Sequence, residues 1–364
     1  MAGQVPRSPA EVTPDWLDRS LHARGVINAS HVTGVEAQSL GVGVGFLGQV
    51  ARLKISYDRS EPGAPATAII KMPTLDPGGR DICRIFQFYE REIRFYEEIA
   101  SKISMRVPRC YDTAMDIEAD DYLILLEEMT DVTVGDEVAG CTIDEAEQAV
   151  RALAQFHATW WESPDLDKLD WMPPVNAPVQ QSAEQSYNEA LPHYLEMFGD
   201  RLSPTMRRVT EDMRTHVIDL LNLLEPAPRT MIHGDYRLDN VFFGPGGAIA
   251  AIDWQISTRG RGVFDIAYFL SSGLAPADRK ASEMGLLRLW HGIVTDGGAK
   301  SKQYTFDAAL EDYRRAALFC NVYTVIGVGS LDPANERGMA LFDAWIERRN
   351  TAIEDLNAGE LMPR

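Results

Sequence analysis

Three polar residues with different chemical abilities sit close together in the stretch "HGDYRLDN": His233, Asp235 and Asn240. A carboxylate such as that of Asp235 can take the proton of an attacking hydroxyl that lies within hydrogen-bond reach. The amide oxygen of Asn240 is a hard, neutral ligand suited to Mg2+. Downstream, "GGAIAAIDWQ" (246–255) reads as a turn, a buried strand and then Asp253. The intervening chain is long enough for a hairpin that returns this second carboxylate beside Asn240. A base with two hard metal ligands is the equipment for phosphoryl transfer to a hydroxyl, in which catalysis is mostly positioning and charge neutralisation. His233 is expected to brace the loop backbone rather than to act as acid or base. Asp265 is expected to be a helix N-cap or an anchor for the loop.

Such a site also needs groups that hold the phosphates. "GVGFLGQV" places Gly43, Gly45 and Gly48 in a G-x-G-x-x-G pattern. A dinucleotide fold would need a strand before that pattern and a helix after it. A strand follows instead, so the glycines suit a hairpin whose backbone approaches phosphates closely. Lys71 ends the apolar run "AIIK". A lysine buried there without a partner would be costly, and it is the right type to grip α- and β-phosphates. Its partner is expected to be Glu92 on the following helix, with Glu90, Glu97 and Glu98 as competitors expected to be solvated. A polar switch at Glu127, Glu128 and Met129 follows a buried strand. The order is therefore glycine loop, strand lysine, helix glutamate, polar switch, H-x-D-x-x-x-x-N and a second Asp. The protein-kinase catalytic loop has the same spacing, with Arg where Gly234 stands.

The elements that must position these residues can be read coarsely. Residues 9–25 form a capped helix, with Thr13 before Pro14 and Gly25 as the stop. "VARLKISY" (50–57) alternates with period two and "TAIIKMP" (67–73) ends at Pro73, so both are strands. "IFQFYEREIRFYEEIA" (85–100) carries apolar residues at helical spacing. Thr142 and Glu145 have capping-box spacing at the start of a helix over 142–161. Its apolar stripe includes His157, expected to be a satisfied core histidine. Trp160 and Trp161 are expected in the core, and Trp254 there or on a pocket wall. Arg259 and Arg261, flanked by glycines, are expected to be solvated. The fold class is α+β, with a sheet-rich N-lobe at 1–131 and a mostly helical C-lobe at 132–364.

Composition narrows the function classes. The chain has 364 residues, 45% of them apolar, and a formal net charge of −19. That suits a folded protein and argues against nucleic acid or an anionic membrane surface as partner. Cys83, Cys110, Cys141 and Cys320 show no paired spacing, so neither a disulfide framework nor a zinc-cysteine site is expected. No signal pattern or apolar run of membrane-spanning length is present. The expected location is cytoplasmic; the oligomeric state is left open.

"HGDYRLDNVFF", "IDWQISTRGRGVFDIAYFL" and the helix "LAQFHATWW" together resemble the aminoglycoside phosphotransferase and choline kinase-like superfamily, including its ecdysteroid kinase-like branch. The similarity runs from about residue 35 to the C-terminus. It implies a bilobal protein-kinase-like fold that phosphorylates a small-molecule hydroxyl with ATP (or GTP) and Mg2+. By motif, Asp235 becomes the base, and Asn240 and Asp253 the Mg2+ ligands. Gly43, Gly45, Gly48, Lys71 and Glu92 hold the phosphates. Glu127, Glu128 and Met129 form a hinge that meets the nucleotide base through backbone groups. No A-P-E motif or long activation segment follows Asp253, so a protein substrate is not expected. The acceptor stays open among aminoglycosides, choline-like amines, sterols and hydroxyacyl thioesters. The competing reading is a catalytically silent kinase-fold protein that binds nucleotide or regulates, which the intact Lys71, Asp235, Asn240 and Asp253 oppose.

Overall fold

The structure is a computed structural model that describes residues 5–40, 47–296, 303–329 and 331–363. The chain divides into two compact units, Met1–Lys102 with Val107–Asp131, and Ile103–Arg106 with Val132–Arg364.

The first unit opens with helix α1 (Pro14–Ala23). Thr13 caps it by accepting from the Trp16 N–H at 3.2 Å, and Pro14 fits the first turn, where no N–H is needed. Gly25, at φ 63°, turns the chain out of the helix. Five antiparallel strands follow: β1 (Val32–Leu40), β2 (Gly48–Tyr57), β3 (Thr67–Pro73), β4 (Cys110–Asp116) and β5 (Asp121–Glu127), in the order β1-β2-β3-β5-β4. In central β3, Ala68, Ile70 and Met72 point into a core shared with Leu17, Leu21, Leu53, Leu123 and Leu125. Strand period two then puts Lys71 on the opposite face, paired in register with Val50 and Ile124.

The turn before β1 is gathered by one side chain. Glu61 accepts from the N–H groups of Asn28, Ala29 and Ser30 at 2.8, 2.9 and 2.7 Å, and from the Ser30 hydroxyl. These bonds, with Ser30 foremost, pull its pKa down to about 2.

The stretch read as one helix from 85 to 100 is not one helix. Helix α2 (Pro77–Phe86) ends at Gln87, which is left-handed at φ 56°. Helix α3 (Phe88–Arg94) then starts afresh, and 95–99 winds as a π turn. The apolar spacing survives the break because Phe88, Tyr89, Ile93 and Tyr96 still share a buried face.

The second unit is mostly helical. Its helices are α4 (Ile143–Trp160), α5 (Ala183–Phe198), α6 (Pro204–Asp212), α7 (Val217–Leu224), α8 (Val263–Gly273), α9 (Pro276–Thr295), α10 (Phe306–Val328) and α11 (Glu336–Asp355). The Thr142–Glu145 capping box starts α4. Every residue of α8 is buried, and α10 packs against it, α5, α7 and α11. Short strands frame the polar loop: β6 (Thr133–Val134), β8 (Val241–Phe243) and β9 (Ile249–Ala251) form one sheet, β7 (Thr230–Ile232) and β10 (Thr258–Gly260) another. Among the described residues no helix is long and apolar enough to cross a membrane.

Candidate active site

The loop 233–240 leaves β7 under tight control. Gly234 has φ 87°, and a Cβ there would stand 2.8 Å from the Ile256 carbonyl oxygen, so glycine is required. Asp265, in the first turn of α8 and fully buried, accepts from the N–H groups of His233 at 2.7 Å and Gly234 at 2.9 Å. The same carboxylate lies 3.1 Å from His157 Nε2. His157 Nδ1 accepts from the Trp290 indole at 3.0 Å, so Nε2 is the nitrogen that carries the proton to Asp265. His157 is thus a satisfied core histidine, and Asp265 is an anchor rather than a cap. His233 accepts from the Asp235 N–H at Nδ1 and donates from Nε2 to the Ile252 carbonyl at 3.0 Å. It braces the backbone of the loop.

These anchors present Asp235 and Asn240 to each other. Asn240 Nδ2 donates to Asp235 Oδ2 at 2.9 Å and to the Asp235 carbonyl at 3.0 Å. This network assigns the amide orientation, and the amide oxygen is then the atom Asn240 can offer a cation. The β8–β9 hairpin returns the chain to the same place: the Ile252 N–H donates to the Asn240 carbonyl at 3.0 Å. Asp253 follows at once, in a left-handed conformation with φ 66°. Strain of that kind at a non-glycine residue persists only where its surroundings hold it. An amide oxygen and a carboxylate are the hard donors that Mg2+ prefers.

Arg237 is a residue that the sequence reading passed over. Its Nε lies 3.3 Å from the Asp235 carboxylate, its Nη1 2.6 Å from Asp239, and its guanidinium sits over the Trp345 ring. Burial disfavours its charge, but Asp235, Tyr268, Asp239 and Glu137 outweigh that and raise its pKa. A cation two residues after the loop Asp was the available signal. The loop is also clasped from the side: Glu137 accepts from the Leu238 N–H at 2.8 Å, and Asp239 accepts from the Glu137 N–H at 3.0 Å.

The first unit carries the lysine pair. Lys71 Nζ lies 2.7 Å from both carboxylate oxygens of Glu92. Glu92 is only 3% exposed and Lys71 21%, so the pair is desolvated mainly on the glutamate side. The competing glutamates are engaged elsewhere: Glu90 and Glu98 with Arg94, and Glu97 with Thr113. On the same helix the Tyr89 hydroxyl donates to the Leu47 carbonyl at 2.7 Å and accepts from the Thr74 N–H at 3.0 Å. It thereby ties the residue before Gly48 to the end of β3. Gly43 and Gly45 lie outside the described residues; Gly48 opens β2.

At the end of β5 the side chains are occupied. Glu127 accepts from the Arg109 N–H at 3.0 Å, and Glu128 pairs with Arg52, while Met129 is buried. Arg259 and Arg261 are not solvated as their glycine neighbours suggested. Arg259 donates to the Leu166 carbonyl, and Arg261 pairs with Asp312 at 2.5 Å under the Tyr304 ring. Trp160, Trp161 and Trp254 all lie in the core.

A family model for the ecdysteroid kinase-like family matches residues 42–296. The chain belongs to the ecdysteroid kinase-like family. Over 154 residues, 37% of this chain, it is 37% identical to acyl-CoA dehydrogenase family member 10 of Mus musculus. That match spans only 14% of the mouse protein's length. Among solved structures, choline kinase from Cryptosporidium parvum Iowa II aligns with TM-score 0.53 at 10% identity, covering 94% of this chain and 93% of that one. Spectinomycin phosphotransferase, bound to ADP and spectinomycin, aligns with TM-score 0.53 at 13% identity, covering 96% and 99%. Aminoglycoside 2'-phosphotransferase-IIIa, bound to GDP, aligns with TM-score 0.54 at 13% identity, covering 92% and 99%. These likenesses show the fold: protein-kinase-like, with an antiparallel sheet in the N-terminal region and a helix-rich remainder.

Proposed function

We propose that this member of the family transfers the γ-phosphate of ATP or GTP to a hydroxyl of a small organic molecule. Asp235 orients the acceptor hydroxyl and takes its proton as the new O–P bond forms and the bond to the nucleoside diphosphate breaks. The observation that carries this reading is the bonding between Asn240 and Asp235, which holds the carboxylate and commits the amide nitrogen, leaving the amide oxygen as the atom Asn240 can offer a cation. Asn240 and Asp253 would hold Mg2+, which when bound supplies neutralising charge to the transferring phosphoryl group. Lys71, oriented by Glu92, would grip the α- and β-phosphates, with Gly43, Gly45 and Gly48 covering them. Glu127, Glu128 and Met129 would meet the nucleotide base through backbone groups; the engaged side chains of the two glutamates suit that division of labour.

For the acceptor, a hydroxylated acyl thioester is the best supported class. The mouse relative matches this chain over 154 residues and is named as a member of the acyl-CoA dehydrogenase family. Phosphorylating an acyl chain's hydroxyl turns it into a leaving group, a useful step before further chemistry on that chain.

The test is nucleotide binding by calorimetry with MgATP and MgGTP, on wild type and Asp253→Ala, followed by an acceptor screen with Asp235→Ala as control. Metal-dependent binding that weakens about tenfold or more in the Asp253 variant, and turnover of hydroxyacyl thioesters above amino sugars, choline and sterols, is expected. Absence of nucleotide binding with and without metal would remove the kinase reading. Turnover of amines alone would remove the thioester.

A further inference from the structure

We propose that Asp18, His22 and His31 form a binding site for a transition-metal dication, represented by Zn2+, that is separate from the phosphotransfer centre. Asp18 and His22 stand four residues apart on one face of α1, and His31 arrives from the turn just before β1. Their ligand atoms all lie within 4.8 Å of one another. Asp18 Oδ2 is 3.5 Å from His22 Nδ1 and 3.3 Å from His31 Nδ1. Bonds of about 2.0–2.1 Å to a tetrahedral ion place neighbouring ligands roughly 3.3 Å apart, so two edges of the coordination polyhedron are already formed.

The surroundings orient these ligands. Asp18 Oδ1 is occupied by the Val32 N–H at 2.8 Å, which turns Oδ2 toward the rings. Asp58 accepts from the His31 N–H at 2.7 Å and holds that residue's backbone. The two imidazoles stack with centroids 5.1 Å apart and planes 28° apart, so both Nδ1 atoms face the same oxygen. Outer contacts of this kind fix ligand orientation in metal sites. Two imidazole nitrogens and one carboxylate favour Zn2+, Co2+ or Cu2+ over Mg2+, whereas Asn240 and Asp253 offer oxygen only. A fourth position remains for water.

One contact competes. His22 Nδ1 lies 2.8 Å from the Asp18 carbonyl oxygen. Binding therefore exchanges an N–H···O contact for a metal bond as the neutral ring moves its proton from Nδ1 to Nε2, with no change of oxidation state. The bound ion would staple α1 to the start of β1.

The experiment uses the untagged full chain, stripped of metal and held in excess Mg2+. Zn2+ is titrated by calorimetry, and Co2+ by its visible absorption, on wild type, His31→Ala and Asp18→Asn. Asn can still accept from the Val32 N–H, so the second variant keeps the turn, and metal-free melting curves check both folds. One Zn2+ per chain, with affinity lowered about tenfold or more in each variant and an intense four-coordinate Co2+ spectrum lost in both, is the expected result. No Zn2+ binding by wild type, or equal binding in all three proteins, would overturn the proposal.

Discussion

Two carboxylates in this molecule do the same job in opposite settings. Glu61 gathers three successive N–H groups of the turn at 28–30, on the surface of the first unit. Asp265 gathers two N–H groups of the loop at 233–234, together with the proton of His157, in the fully buried interior of the second. At the surface, water can replace a lost acceptor, so such a side chain shapes a turn without deciding the fold. In the interior nothing replaces it, and three donors depend on one side chain. The Lys71–Glu92 pair falls between, with one partner buried and the other partly exposed. The polar residues that fix the loop at 233–240 are thus held far harder than those that shape the turn.

The strongest way to break this comparison is Asp265→Ala. Leaving two N–H groups and the His157 proton unpaired is expected to destabilise the protein by about 3–5 kcal/mol. Phosphotransfer should fall with it, and chemical denaturation followed by a turnover assay reads both. Asp265→Asn sharpens the point: its NH2 group would face a donor, so it should rescue only part of the loss. Next comes Lys71→Met, which removes the proposed phosphate grip and takes the lysine from the buried Glu92. A fall of about 100-fold in kcat/KM for the nucleotide is expected, with a smaller stability loss than for Asp265→Ala. Lys71→Arg should restore some of the stability but little of the rate, because a planar fork replaces a point charge.

The smallest effect is expected at Glu61, and it depends on pH. Its folded pKa of about 2 lies below the ordinary 4.5. Its contribution is therefore complete above about pH 4.5 and is lost as pH falls toward 2, where the folded carboxylate also takes a proton. Glu61→Gln should flatten the acid limb of the stability profile in that window: its loss of stability is greatest at neutral pH and shrinks as pH falls toward 2. An acid limb as steep in the variant as in wild type would mean that the Glu61 carboxylate contributes nothing to holding the turn.

Much of the architecture was legible because local rules carried it. Thr13 before Pro14, the Thr142–Glu145 box and the alternation in 50–57 each encode their element within a few residues. The helix break at Gln87 was not legible, since a left-handed glutamine leaves no glycine or proline signature. Helix α2 was hidden by the two glycines of its first turn, and β4 by the polar residues of "CYDTAMD". In the candidate site, chemistry-bearing residue types at fixed spacing were visible, and Glu92 lies on Lys71 as its setting suggested. What spacing could not show were contacts between distant segments. The grip of Glu137 on Leu238, the pairing of Arg261 with Asp312 and the seat of Arg237 over Trp345 all join residues far apart in the chain.

Gly234 carries a consequence for the history open to this sequence. The middle position of its H-x-D triplet is decided by a neighbouring carbonyl and not by the reaction. A lineage that drifts toward the arginine found there in protein kinases must first rebuild the chain around Ile256, or pass through forms that do not fold. The acceptor can change by mutation around a loop of this kind, while its second letter stays locked.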